Sequence, residues 1–265
     1  MHFLLIGCGK MGYALMRGWG HHANATSIVA IDPTEPPCDV LEIAGVSWFS
    51  SADSLLPGYH PDAIILAVKP QDMAAVLPRY AKFINSVFLS IAAGQTLKRL
   101  DTLLGGNHAI ARAMPNLPAA IGQGISVAVA NPHVTESQHK LCEILLKAAG
   151  DVVWTEDEAL LSTVTALSGC GPAYVFLLCE AMEAAGVKLG LPADMARILA
   201  RQTVIGSAAL MDQSISSAQS LRQAVTSPGG STAEAMKHLL GENGLFDLML
   251  RAMRAAAERT KEMDQ

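Results

Sequence analysis

Through about residue 155 the apolar positions gather into short runs of strand length, separated by stretches whose composition favours helix. The runs are His2–Ile6, Ser27–Ile31, Ala63–Val68, Ser86–Ile91, Ala109–Ala113, Gly124–Val129 and Asp151–Trp154. Such alternation predicts an α/β fold with a Rossmann-like, doubly wound, mainly parallel sheet. After Glu156 the alternation stops and the chain favours helix almost continuously to its end. This change divides the sequence into a sheet domain, 1–155, and an all-α C-terminal domain, 156–265.

Small residues recur through the helical half, among them Ala166, Ala173, Ala181, Ala184, Ala185, Ala196, Ala200, Gly206, Ala208 and Ala209, so helices can approach closely. Roughly 110 residues of apolar helix with so little charge cannot bury every face alone, which favours a homodimer through this half. The last helix carries Leu245, Leu248, Met249, Ala252, Met253 and Ala256 on one side, with Arg251, Arg254, Glu258 and Arg259 largely on the other. That stripe reads as core or interface.

The first strand runs directly into Gly7-Cys8-Gly9-Lys10-Met11-Gly12, a complete G-x-G-x-x-G, and a helix-forming stretch follows. Glycines at a strand-to-helix turn let a pyrophosphate approach the backbone and the positive end of the helix dipole. The second strand ends in Asp32, about twenty residues beyond Gly12, where a carboxylate accepts hydrogen bonds from both ribose hydroxyls of an adenosine. Asp32 also precedes Pro33, so it serves equally as a turn starter. Ligands of doubly wound sheets lie beyond the carboxyl ends of strands. Val68-Lys69-Pro70-Gln71, Ala92-Ala93-Gly94 and Met114-Pro115-Asn116 occupy those ends. They are candidate cofactor contacts; a solvated lysine, a tight packing spot and a strand-stopping proline are their structural alternatives.

A second binding device lies in the helical half. In Val225-Thr226-Ser227-Pro228-Gly229-Gly230-Ser231-Thr232 the proline stiffens the turn and the glycines permit positive φ, so successive amides can converge on an anion. A helix follows, with Ser231 or Thr232 available to cap it, and a small carboxylate would meet both amides and dipole there. An ordinary interhelical turn is the alternative.

Composition narrows the partners. The chain has 265 residues, is 51% hydrophobic and carries a net charge of −5, with no basic run. These values argue against nucleic acid or an anionic membrane as partner. It opens directly into the first strand, and no unbroken apolar stretch approaches about 18 residues, so a soluble, cytoplasmic protein is expected. Cys8, Cys38, Cys142, Cys170 and Cys179 contain no C-x-x-C pair and are odd in number, so free thiols are expected rather than disulfides or zinc. His21 and His22 are neighbours without ligand spacing, and no metal is expected.

Taken together, Gly7–Gly12, Ala67-Val-Lys-Pro-Gln71, Ser90-Ile-Ala-Ala-Gly94, Arg112-Ala-Met-Pro-Asn-Leu-Pro118, Leu167-Ser-Gly-Cys-Gly-Pro-Ala-Tyr174 and Val225–Thr232 resemble the pyrroline-5-carboxylate reductase family over the whole chain. The last two segments are the specific ones. The resemblance implies hydride transfer from NAD(P)H to C5 of L-1-pyrroline-5-carboxylate, giving L-proline. It also implies a homodimer whose helical domains interleave to build the substrate site, with rings of dimers in some members. By the same resemblance the substrate loop falls on Ser227–Thr232. Amides of Gly229, Gly230 and Ser231 would hold the substrate carboxylate, Thr232 would bond the ring nitrogen, and Glu158 would belong to the substrate region.

Four positions depart from the family pattern. Cys170 stands where serine is usual and is a weaker donor. Ala224 replaces a frequent asparagine, and Ser231 a threonine or alanine. Asp32 replaces a neutral residue and would repel a 2′-phosphate, which predicts NADH over NADPH. The rival readings are a β-hydroxyacid dehydrogenase-like enzyme, which would need a lysine base such as Lys188, Lys237 or Lys261, and a non-catalytic dinucleotide or proline sensor.

Overall fold

In the computed structural model, residues 1–22, 27–35 and 42–264 are described, and they form two compact units, Met1–Gly169 with Ala256–Gln265, and Cys170–Ala255. Cys38 falls outside these residues, as do the side chains of His21 and His22.

The first unit is built on an eight-stranded sheet. Its strands are β1 (His2–Ile6), β2 (Ser27–Ile31), β3 (Val46–Phe49), β4 (Ala63–Leu66), β5 (Val87–Ser90), β6 (Ala109–Met114), β7 (Gly124–Ala130) and β8 (Gly150–Trp154), in spatial order β3-β2-β1-β4-β5-β6-β7-β8. Every pairing is parallel except β6 with β7. The expected runs all form strands. β3 was not foreseen: Val46-Ser47-Trp48-Phe49 is a half-exposed edge strand with no continuous apolar run.

Side chains alternate across the sheet and feed two cores. Phe3, Leu5, Ile65, Leu89 and Ala111 face Leu15, Met16 and Trp19 of helix α1 (Lys10–His22), with Leu145 and Leu146 of the helix Glu136–Lys147. Leu4, Ile6, Ile64, Leu66, Phe88 and Ile110 face Met73, Leu77, Tyr80, Leu100 and Leu104. Each of these Leu, Ile, Phe and Met side chains contributes about 1.5–3 kcal/mol by leaving water. Trp19 also donates from Nε1 to the Leu145 carbonyl at 2.9 Å, satisfying its one polar atom while locking α1 against its neighbour. Helix starts follow local chemistry: Thr96 caps Leu97–Leu104, and Thr135 with Gln138 forms a reciprocal capping box.

The chain leaves β8 through the helix Leu160–Val164 and a π-helical turn, Thr165–Gly169. It returns to the first unit at Ala256, within the helix Leu245–Met263. In the second unit the helices Gly171–Lys188 and Ala193–Asp212 pack side by side, followed by Ala218–Ala224 and Ser231–Leu239. Ala196 and Ala200 are buried, but Phe176, Leu177, Ile198, Leu199 and Ile205 are exposed. By length and composition the helical run Leu160–Lys188, 29 residues, is apolar enough to cross a membrane. The absence of an unbroken apolar stretch hid this, because Ser168, Gly169, Gly171 and Pro172 interrupt a run whose average remains apolar.

Candidate cofactor and substrate site

A cleft of about 730 Å³ opens beyond the carboxyl ends of β1, β2 and β4. Gly7, Cys8, Gly9, Asp32, Val68 and Lys69 line it together, as do Tyr13, Thr34, Ser50, Ser51, Ala75, Val76 and Arg79, which sequence reasoning had not singled out. The glycines have different duties. Gly7 has φ +91°, and a Cβ there would lie 2.7 Å from the Ala67 carbonyl carbon, so β1 and β4 close on it. A Cβ on Gly12 would stand 2.7 Å from the Gly7 carbonyl oxygen, which makes Gly12 a packing glycine. At Gly9 a Cβ would meet nothing within 4 Å, so this backbone is bare on the cleft side.

The first turn of α1 contains no acid, and its leading amides have no intrahelical acceptor. These features suit a pyrophosphate. Asp32 is held from two sides: Oδ2 accepts from the Cys8 amide at 2.6 Å and Oδ1 from the Thr34 amide at 2.8 Å. Asp32 therefore both braces the turn into Thr34 and lines the cleft. The remaining lone pairs of the carboxylate suit ribose hydroxyls. Burial, reinforced by the Asp32 charge, pushes the Cys8 thiol up to about 12, so Cys8 sits in the loop as a neutral small side chain.

Other expected cofactor residues lie apart from this cleft's lining. Lys10 and Met11 open α1, while Pro70 starts the 3-10 turn Pro70–Asp72. Ala92 is buried, Ala93 is half-buried, and Gly94 (φ +70°) approaches Met263, with a Cβ at Gly94 only 3.2 Å from the Met263 Cβ. The Asn116 side-chain oxygen accepts from the Ile125 amide at 2.9 Å, anchoring the start of β7.

Glu158 is tied into the first unit. Its Oε1 accepts from Arg112 at 2.9 Å and from the Leu97 amide at 2.8 Å, while Arg112 donates to Asp264 at 2.8 Å. Arg112 is the contact that sequence reasoning missed. Its signal was a lone charge inside the apolar run Ala109–Ala113.

In the second unit, Gly229 takes φ +73° and the turn delivers the chain into the helix Ser231–Leu239. The N-cap is Gly230, not Ser231 or Thr232, and it offers no side-chain bond. The helix starts one residue earlier than the hydroxyl pattern suggested because glycine is itself an accepted cap. The Gly230 amide donates to the Ser227 carbonyl at 3.0 Å, closing the turn. Because this bond already engages the Gly230 amide, Gly230 would offer an anion only a shared hydrogen.

Cys142 is buried, with burial raising its thiol to about 12, whereas Cys170 and Cys179 are partly exposed. Among the described residues no group of three or more His, Cys, Asp or Glu gathers at metal-binding distance.

The family profile described as "Pyrroline-5-carboxylate reductase dimerisation" matches residues 158–263, and one described as "NADP oxidoreductase coenzyme F420-dependent" matches 3–94. The pyrroline-5-carboxylate reductase of Vibrio alginolyticus is 37% identical over 264 residues, spanning 98% of this chain and 96% of that protein. That of Pseudomonas aeruginosa is 37% identical over 97% of this chain and 95% of its own. The structure of a pyrroline-5-carboxylate reductase from Coxiella burnetii superposes with a TM-score of 0.89 at 33% identity, covering 99% of this chain and 98% of that one. A Plasmodium falciparum pyrroline carboxylate reductase with NADP bound gives a TM-score of 0.85 at 29% identity, covering 100% and 98%. On the strength of this full-length similarity, the chain belongs to the pyrroline-5-carboxylate reductase family.

Proposed function

We propose that this protein reduces L-1-pyrroline-5-carboxylate to L-proline with a reduced nicotinamide dinucleotide, the final step of proline biosynthesis. The observation that carries the reading is a glycine-lined cleft held by Asp32, in a chain that also presents the Pro-Gly-Gly turn at a helix start. When bound, the reduced nicotinamide supplies a hydride to C5 of the imine. The C=N π electrons pass to the ring nitrogen, which takes a proton.

The protein's part is placement. Gly7, Cys8, Gly9, Lys10, Met11 and Gly12 receive the pyrophosphate end, Asp32 the adenosine ribose, and Val68, Lys69, Pro70, Ala92, Ala93 and Asn116 the remainder of the cofactor. Ser227, Gly229, Gly230 and Ser231 hold the substrate carboxylate at the helix start, with Gly230 sharing its amide. Glu158 supports the substrate region through the segment it anchors. Thr232 orients the ring nitrogen and relays its proton from water, because an unassisted hydroxyl is too weak an acid to supply it. Holding imine and nicotinamide at near-attack distance supplies much of the rate.

Asp32 makes NADH the preferred cofactor over NADPH. Residues 1–155 serve the dinucleotide, and 156–265 serve substrate binding and dimerisation. The exposed Phe176, Leu177, Ile198 and Leu199 support a homodimer; a ring of dimers as the larger assembly, and a cytoplasmic location, complete the proposal. Lys237 is held by Glu234 at 2.7 Å, which weighs against the lysine base of a β-hydroxyacid dehydrogenase. Purified protein with pyrroline-5-carboxylate should oxidise NADH faster than NADPH, followed by absorbance. Oxidation of neither overturns the activity, and preference for NADPH overturns the role given to Asp32.

A further inference from the structure

The cleft wall contains a cation that the preceding reading does not use. Arg79 sits in the turn Leu77–Tyr80, fixed between Pro78 and the buried Tyr80, and it lines the cleft with Ala75 and Val76. Its Nη2 donates to both Asp53 oxygens, at 2.9 and 3.1 Å. Asp53 in turn accepts from the Ser51 hydroxyl at 2.9 Å, and its own amide donates to the Ser51 Oγ at 3.3 Å. The Arg79 side chain is 51% exposed, and through Asp53 its guanidinium is tethered to a turn that follows β3.

We propose that Arg79 is an adenine-stacking residue. Asp32 marks the ribose, and the Gly7–Gly9 loop takes the phosphates on one side of it, so the base continues into the part of the cleft lined by Thr34, Ser50, Ser51, Ala75, Val76 and Arg79. Ala75 and Val76 offer a small apolar ledge. Of the described side chains in that part, only Arg79 presents an exposed planar group, and a guanidinium stacks on an aromatic face. Asp53 holds the plane by one edge and balances its charge, so the pair offers the base a flat surface and offers a 2′-phosphate little net attraction. This inference rests on the dinucleotide reading of the cleft and extends it to the base.

The test is calorimetric titration of the full chain with adenosine 5′-monophosphate and adenosine 2′,5′-bisphosphate, for wild type, Arg79→Ala, Arg79→Lys and Asp53→Ala. Circular dichroism confirms that each variant is folded. Arg79→Ala should weaken 5′-monophosphate binding roughly 3- to 10-fold, with the same factor for the bisphosphate. Lysine should not restore it, having no plane to stack. Asp53→Ala should cause a smaller loss by releasing the guanidinium. A loss confined to the bisphosphate and repaired by lysine would make Arg79 a phosphate cation and overturn the proposal. Unchanged binding of both nucleotides would leave Arg79 a solvated surface pair and overturn it while the dinucleotide reading stands. Wild-type protein binding neither nucleotide would overturn both.

Discussion

Arg112 and Glu158 meet at 2.9 Å across 46 positions of sequence, with the arginine side chain only 4% exposed. The same guanidinium reaches Asp264, so one buried cation pins both the segment leaving β8 and the segment returning from the last helix. The Leu97 amide, at the first turn of the helix that Thr96 caps, adds a second tie to Glu158. Arg112→Met should therefore destabilise the protein by about 3–4 kcal/mol, the lower part of the usual range for a broken buried pair, because both carboxylates retain some solvent. Urea denaturation reads this as a lowered midpoint with an unchanged slope. A midpoint within error of wild type would show that the triad contributes nothing net.

The second prediction concerns Asp32, whose two oxygens brace the Cys8 and Thr34 amides. Asp32→Ser removes the charge that faces a ribose 2′-substituent but also removes both braces. NADPH should gain relative to NADH in kcat/KM, while absolute NADH efficiency falls because the loop is less well held. The readout is the ratio of the two efficiencies. An unchanged ratio would remove Asp32 from cofactor choice.

Much of this was legible because it is local. Ser27–Ile31 and His2–Ile6 become strands with the boundaries their apolar runs suggest, and the Asp32 carboxylate lies in the cleft with the glycine loop. β3 was hidden because an edge strand needs no continuous apolar run. Residues 256–264 were not readable as part of the first unit, because their helical pattern looks the same whatever they pack on. Their partner, Arg112, belongs to a distant strand. The Gly230 cap escaped for a related reason: Ser231 and Thr232 are better-known caps, and only the backbone geometry shows that the helix begins before them.

Cys8 gives a prediction in pH. Its thiol is raised to about 12 by burial and then by Asp32, against 9.0 for the ordinary group. At pH 8 Cys8 should resist alkylation by iodoacetamide in native protein, while the partly exposed Cys170 and Cys179 react first, as mass spectrometry of digested protein would show. The linkage has a definite sign. A folded-state pKa above the unfolded one means the native state binds more protons between pH 9 and about 12, so the stability this thiol contributes is intact below 9 and falls as pH rises through that window. Early, complete labelling of Cys8 under native conditions would contradict the burial.

Thr232 is the sharpest test of the chemistry, because it is the second residue of a helix whose first turn has no capping side chain to obstruct it. Thr232→Ala keeps the Gly230-to-Ser227 turn bond, which is made by the backbone alone, and alanine is a strong helix former. The fold and the cleft at Asp32 should therefore persist, and NADH affinity should stay within about twofold of wild type. Turnover should fall about 10-fold or more, because the ring nitrogen loses the hydroxyl that orients it and passes its proton. Such a loss in kcat with NADH binding preserved separates a positioning role from general damage. If turnover is retained, water alone delivers the proton and Thr232 has no part in the reaction; if NADH affinity falls with it, the substitution has disturbed more than the nitrogen's partner.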